Sequence, residues 1–186
     1  MLLTVLTALA LQAAGCTDSA PHRAFDFWLG RWNVYAADGA YAGKNHIASG
    51  GAGCVLTESW ESVRGGTGHS LNFVEPTTGA WRQVWVGRNH RIDYSGGLDA
   101  EGRMVLTGEI TYWNADGAQS HDFRGAWTPL ENGHVIQHFQ QRDAETGAWS
   151  DWGLLTYVPA REDPNGAAPA ADVAGPAIET APPAFD

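Results

Sequence analysis

Apolar and polar residues alternate along this chain in short stretches, and clusters of turn residues separate the stretches. Cys54, Leu56, Glu58 and Trp60 recur every second residue, and so do Trp81, Gln83 and Trp85. Met104, Leu106, Gly108 and Ile110 form another such set, as do His121, Phe123, Gly125 and Trp127, with Ser120, Asp122, Arg124 and Ala126 on the opposite face. A period of two is the signature of β-strands with one face buried. Between the stretches lie Ala37-Asp38-Gly39, Pro76-Thr77-Thr78-Gly79, Ala100-Glu101-Gly102, Ala115-Asp116-Gly117, Glu131-Asn132-Gly133 and Glu145-Thr146-Gly147. Glycine supplies the positive φ of tight turns, and Asp or Asn bonds back to the local backbone.

The pattern predicts ten strands, at about 31–36, 40–48, 54–62, 69–75, 80–87, 90–97, 103–110, 118–127, 134–142 and 149–158. Connections are short except at the Gly-rich stretches 49–53 and 63–68, so neighbouring strands should pair antiparallel in an up-and-down sheet. A sheet of this many strands curls, and closing it removes exposed edges. The expected fold is an all-β, antiparallel up-and-down barrel of about ten strands. No helix-length window carries a 3.6-residue period. A helical turn near 24–29, plugging one barrel end, is the one helical piece expected.

The ends have a different character. Residues 1–15 are uncharged and apolar, too short to span a bilayer, and end in small residues, as in an export signal. Ala13-Ala14-Gly15-Cys16 resembles a bacterial lipobox, which makes Cys16 a candidate lipidation site; Ala13 stands where Leu is usual, and the customary basic residue at the start is missing. The alternative is ordinary signal cleavage, which leaves a Cys16–Cys54 disulfide open in an oxidising compartment. Residues 16–24 read as a linker, 25–159 as the barrel, and 160–186, rich in Pro, Ala and acid, as a disordered tail. The implied location is the periplasm or envelope of a bacterium, with membrane contact only through a lipid anchor.

The net charge of −10 repels nucleic-acid phosphates, so nucleic acid is set aside as a partner. Nine Trp are ample for a core without metals. Gly68-His69-Ser70-Leu71-Asn72 is not a nucleophile elbow, and 49–53 lacks the Lys of a phosphate loop. His134 and His138 lie about 13 Å apart on a strand, beyond the span of one metal ion.

One segment carries a resemblance. Phe25-Asp26-Phe27-Trp28-Leu29-Gly30-Arg31-Trp32-Asn33-Val34 resembles the FDFWLGxWxV opening of a bacterial lipocalin-like (calycin) family of unknown function. Cys54–Trp60, Ser70–Phe73, Trp81–Val86, Arg124–Leu130 and Val135–His138 resemble later stretches of it, so the likeness covers about 25–158. It implies a β-barrel with a possible internal pocket, in which Gly30-x-Trp32 closes the floor. The chain departs from the family at Val74-Glu75, where Tyr-Asp is frequent, and at Gly153, where an aromatic is frequent. Such departures would reshape one side of the cavity.

Four functional readings follow. The first is a non-enzymatic binder of a small, mostly apolar ligand inside the barrel. Glu58, Trp60, Gln83, Trp85, Tyr94, His121, Gln137 and Tyr157 are its candidate ligand-binding residues, since aromatic walls with a few polar groups make a typical small-molecule site. The second is a calycin-type enzyme with Glu58 as acid or base and Arg124 as electrostatic partner. The third is a filled structural or interaction barrel of the envelope. The structural alternative to any chemical role for Glu58 is a pair with an internal arginine such as Arg82 or Arg124. The fourth, by likeness to nitrobindin-type barrels, is a haem binder using His121, His134 or His138. No cofactor is required by the first reading, and the sequence leaves the oligomeric state open.

Overall fold

The computed structural model describes residues 15–162. The strands are β1 (Gly30–Ala36), β2 (Tyr41–Gly50), β3 (Val55–Ser62), β4 (Thr67–Val74), β5 (Trp81–Val86), β6 (His90–Leu98), β7 (Met104–Asn114), β8 (Gly117–Pro129), β9 (Val135–Arg142) and β10 (Trp149–Pro159). All neighbours pair antiparallel in chain order, and β1 pairs with both β2 and β10, so the barrel is closed. The expected all-β architecture and strand order are what is found. The β7–β8 hairpin is longer than the alternation suggests, because its ladder runs without a break from Met104 opposite Trp127 to Asn114 opposite Gly117. Residues 111–114 and Gly117 therefore pair instead of belonging to the turn. The export signal expected at 1–15 and the tail expected from 160 fall almost wholly outside the described residues.

One end of the barrel is closed by the segment before β1. A 3-10 turn at Asp26–Trp28 drives Phe25 and Trp28 under the barrel, where both are fully buried. Their rings stack at 4.9 Å, and Phe25 meets Trp81 and Trp127 edge-on at 5.6 and 5.3 Å. Trp32 then caps the arrangement, its Nε1 donating to the Trp28 carbonyl at 2.9 Å. Gly30 sits between them at φ +138, a backbone geometry that side chains rarely adopt. The floor-closing role expected of Gly30-x-Trp32 is thus met by a buried indole and one hydrogen bond. Trp32→Phe should keep the packing and lose the donor, lowering stability by about 1 kcal/mol in denaturant unfolding.

The stretch 16–24, expected as a linker, is structured. It forms a 3-10 turn at Cys16–Asp18 and a short helix, α1 (Ala20–Arg23), and the Cys16 sulfur is bonded to Cys54. A sulfur in a disulfide cannot also carry a thioether-linked lipid. The lipidation expectation for Cys16 gives way, in this structure, to the disulfide alternative. The glycines ahead of Cys54 make room for it, since a Cβ on Gly53 would lie 2.6 Å from Thr17 Cγ2. Trp81 Nε1 donates to the Pro21 carbonyl at 2.9 Å and ties α1 to β5.

Candidate functional site

The other end is open. The interior above the plug holds a cavity of about 640 Å³ that reaches the β1–β2, β3–β4 and β5–β6 turns. Its upper walls are apolar, from Trp60, Trp85, Ile92, Phe139, Trp152 and Leu155. A belt of polar side chains forms its floor. This volume lies within the range of about 300–1,000 Å³ typical of small-molecule sites. A space of that size weighs against the filled-barrel reading.

The polar belt crosses the strands in hydrogen-bonding order. Glu58 on β3 is its centre and is 5% exposed. Asn45 on β2 donates Nδ2 to Glu58 Oε1 at 2.6 Å, and Ser70, directly opposite Glu58 on β4, donates its hydroxyl to Oε2 at 2.7 Å. Asn72 donates to Ser70 Oγ at 2.9 Å, Gln83 donates to Asn72, and Tyr94 donates to Gln83. On the other flank Asn45 Nδ2 reaches the Tyr157 hydroxyl at 3.2 Å, and Tyr157 donates to Gln137 Oε1 at 2.8 Å. The period of two explains the belt, for Gln83 faces Tyr94 and Asn72 on adjacent strands and all point inward. Asn45 Oδ1 is buried and has no donor, although buried polar atoms are normally paired.

The charge of Glu58 is the unusual feature. Among the described residues no Lys, Arg or His forms an ion pair with it. Burial pushes its pKa up to about 7, against the opposing hydrogen bonds from Asn45 and Ser70. Burial likewise raises the Tyr94 and Tyr157 hydroxyls well above the usual tyrosine value, and the nearby Glu58 adds to both shifts.

The expected internal arginine is not there. Arg82 is on the outer face, where its guanidinium grips Asp93 at 2.8 and 2.9 Å. Arg124 also points outward, bonded to Gln140 at 2.8 Å and lying over the Trp149 ring at 4.3 Å. The reason is alternation, since Phe123, Gly125 and Trp127 face in and the residues between them face out. Arg124 therefore cannot serve as an electrostatic partner of Glu58.

Of the other candidates, Trp60, Gln83, Trp85, Tyr94, Gln137 and Tyr157 all line the cavity. His121 does not, and its ring packs against Tyr112 with centroids 6.0 Å apart. His134 sits beside the β8–β9 turn near Glu162, and His138 is held on the outer face by Asp151 at 2.6 Å. His134 and His138 are thus not placed to ligate a group inside the barrel, and His121 lies outside the cavity lining. Among the described residues no cluster of His, Cys, Asp and Glu could hold a metal ion.

Three cavity residues escaped sequence reasoning. His90 stands near the mouth and accepts from Trp85 Nε1 at 3.2 Å, and burial lowers its pKa. Trp152 enters through a bulge between Asp151 and Gly153 and donates Nε1 to the Tyr112 hydroxyl at 2.7 Å. An aromatic thus reaches the cavity one residue before Gly153, the position at which the chain departs from the family it resembles. Asn45 lies in a polar stretch, Lys44-Asn45-His46, that looks solvent-facing; only its register opposite Trp60 turns it inward.

A glycine sets the position of Trp85. Gly68 lies beneath its ring, and a Cβ there would come within 2.1 Å of Trp85 Cζ2. Gly68→Ala should push the indole toward the cavity and cost about 2 kcal/mol of stability, with a shift in tryptophan fluorescence as the specific readout. An unchanged emission spectrum and unfolding midpoint would contradict this placement.

The chain matches no family model and no curated protein, so this geometry is the ground on which a function must be argued.

Proposed function

We infer that the protein is an exported binding protein that holds a small, mostly apolar ligand inside the barrel. The observation that carries this is the cavity of about 640 Å³ with aromatic walls above a polar floor centred on Glu58. Apolar walls supply most of the affinity in such sites, and a few fixed polar groups orient the ligand. Trp60 and Trp85 supply contact area. Glu58, Gln83 and Gln137 fix a polar group at the bottom. Export is supported by the Cys16–Cys54 disulfide, a bond that persists in oxidising compartments, together with the apolar leader.

Native mass spectrometry of protein purified from its own source tests this reading. The expected result is an adduct of roughly a few hundred daltons, the size such cavities accept, weakened in Trp85→Ala and Glu58→Gln. An adduct retained unchanged in both variants would place binding elsewhere. A second reading, acid–base catalysis by Glu58, is favoured by its pKa near 7, the poise a general acid or base needs at neutral pH. It would have to recruit a group other than Arg124.

A further inference from the structure

We propose that the ligand of the barrel is an organic ammonium: an apolar body carrying a protonated amine that docks on Glu58 at the cavity floor. This rests on the binding reading above and names the chemistry of the head group.

Glu58 is buried, faces the cavity, and has no cationic partner among the described residues. Each carboxylate oxygen accepts one hydrogen bond and has capacity for another. Beside it, Asn45 Oδ1 is a buried acceptor with no donor. Asn45 cannot correct this by turning its amide over, because its Nδ2 already donates to Glu58 and Tyr157. The floor around Glu58 is therefore short of donors and short of positive charge. An ammonium supplies three N–H donors, no acceptor and one positive charge.

The walls suit the same ligand. Trp60, Trp85 and Trp152 line the cavity, and Tyr94 and Tyr157 flank the floor. Aromatic faces attract cations, most strongly where water is excluded, and they also cover an apolar body. The net charge of −10 draws cations toward the protein from solution. Arg64 and Arg88 line the mouth, so an anionic head would be held there and not at the floor.

The empty and filled sites differ by a proton. Without a ligand, a buried carboxylate lowers its cost by protonation, as the upward shift of Glu58 shows. When an ammonium docks, the carboxylate ionises, its proton leaves to solvent, and the pair forms. The titratable groups facing it are the Tyr94 and Tyr157 hydroxyls, both raised and therefore neutral in this range, with Asn45 and Ser70 the uncharged neighbours. Binding should tighten as pH rises through about 7 and level off until the amine itself loses its proton near about pH 10.

Titration calorimetry with decylamine, decanol and decanoate on the intact protein is the test. The three share one alkyl chain and differ in head group. At about pH 8, decylamine is expected to bind at least tenfold more tightly than decanol, with decanoate weakest. In Glu58→Gln that preference should shrink below about threefold while decanol binding persists. At about pH 6, decylamine should release close to one proton per site, read from buffers of different ionisation enthalpy, and decanol none. Decanol binding as tightly as decylamine, or decanoate binding more tightly, would overturn the ammonium assignment and leave the binding reading intact. A preference that survives Glu58→Gln would also overturn it. If the variant does not fold, the ranking on the unaltered protein decides. If none of the three binds, the binding reading falls together with this inference.

Discussion

Reduction of the Cys16–Cys54 disulfide, or Cys54→Ser, is expected to lower the unfolding free energy by about 4 kcal/mol. The bond joins residues 38 apart in sequence, and in the chain-entropy account a loop of that length restricts the unfolded chain by about this amount. The enclosed segment holds the plug, β1 and β2, so the loss should be concentrated where Phe25 and Trp28 close the barrel floor. Denaturant unfolding with and without reductant measures it, and hydrogen exchange on 20–36 shows where protection is lost. An unchanged midpoint after verified reduction would mean the plug is held by packing alone. Intact-mass analysis adds a second check: two blocked thiols and no acyl mass on Cys16 are expected.

The second large effect concerns pH. Glu58 carries a folded-state pKa of about 7 against an ordinary value of 4.5, so between these values the folded protein binds more protons than the unfolded chain. Its contribution is most favourable at low pH and is lost as pH rises from 4.5 through about 7, amounting to about 3 kcal/mol. Glu58→Gln should remove that slope. A neutral glutamine can still accept from Asn45, and its amide N–H can donate to Ser70 Oγ once that hydroxyl, which donates to Glu58 in the unaltered protein, rotates away, so the belt survives. His90, whose pKa is lowered by burial, gives a slope of the opposite sign, since the unfolded chain then binds more protons. The difference between the unaltered protein and Glu58→Gln isolates Glu58. That difference should grow by about 3 kcal/mol in favour of the variant between pH 5 and pH 8. A constant difference would mean that Glu58 is ionised and compensated at all these pH values.

Much of the barrel is written in the chain, for a specific reason. A strand with one buried face repeats every two residues, and a tight turn demands glycine or a self-bonding Asp or Asn, so Trp81–Trp85 and Glu131-Asn132-Gly133 announce themselves. The interior polar belt does not. Asn45, Ser70 and Asn72 look outward-facing because alternation scores polar residues as solvent-exposed. Only cross-strand register shows that Ser70 stands opposite Glu58. The arginine partners fail in the opposite way. Arg124 alternates with Phe123 and Trp127 and belongs outside by the same rule that places Glu58 inside. Trp152 depends on a bulge in β10, and an extra residue in one strand leaves no periodic trace. The disulfide was open in the sequence because two cysteines can pair or not; the fold brings Cys16 and Cys54 together by laying 16–18 against 51–53.

The central claim is that the Glu58 face lines a space built to be occupied. A high-resolution crystal structure of the protein purified from its own source tests it most directly. Continuous density larger than ordered water is expected in the cavity, with a donor atom within hydrogen-bond distance of Glu58. Trp60, Trp85 and Trp152 packed inward over Glu58, leaving room for nothing larger than single waters, would contradict it.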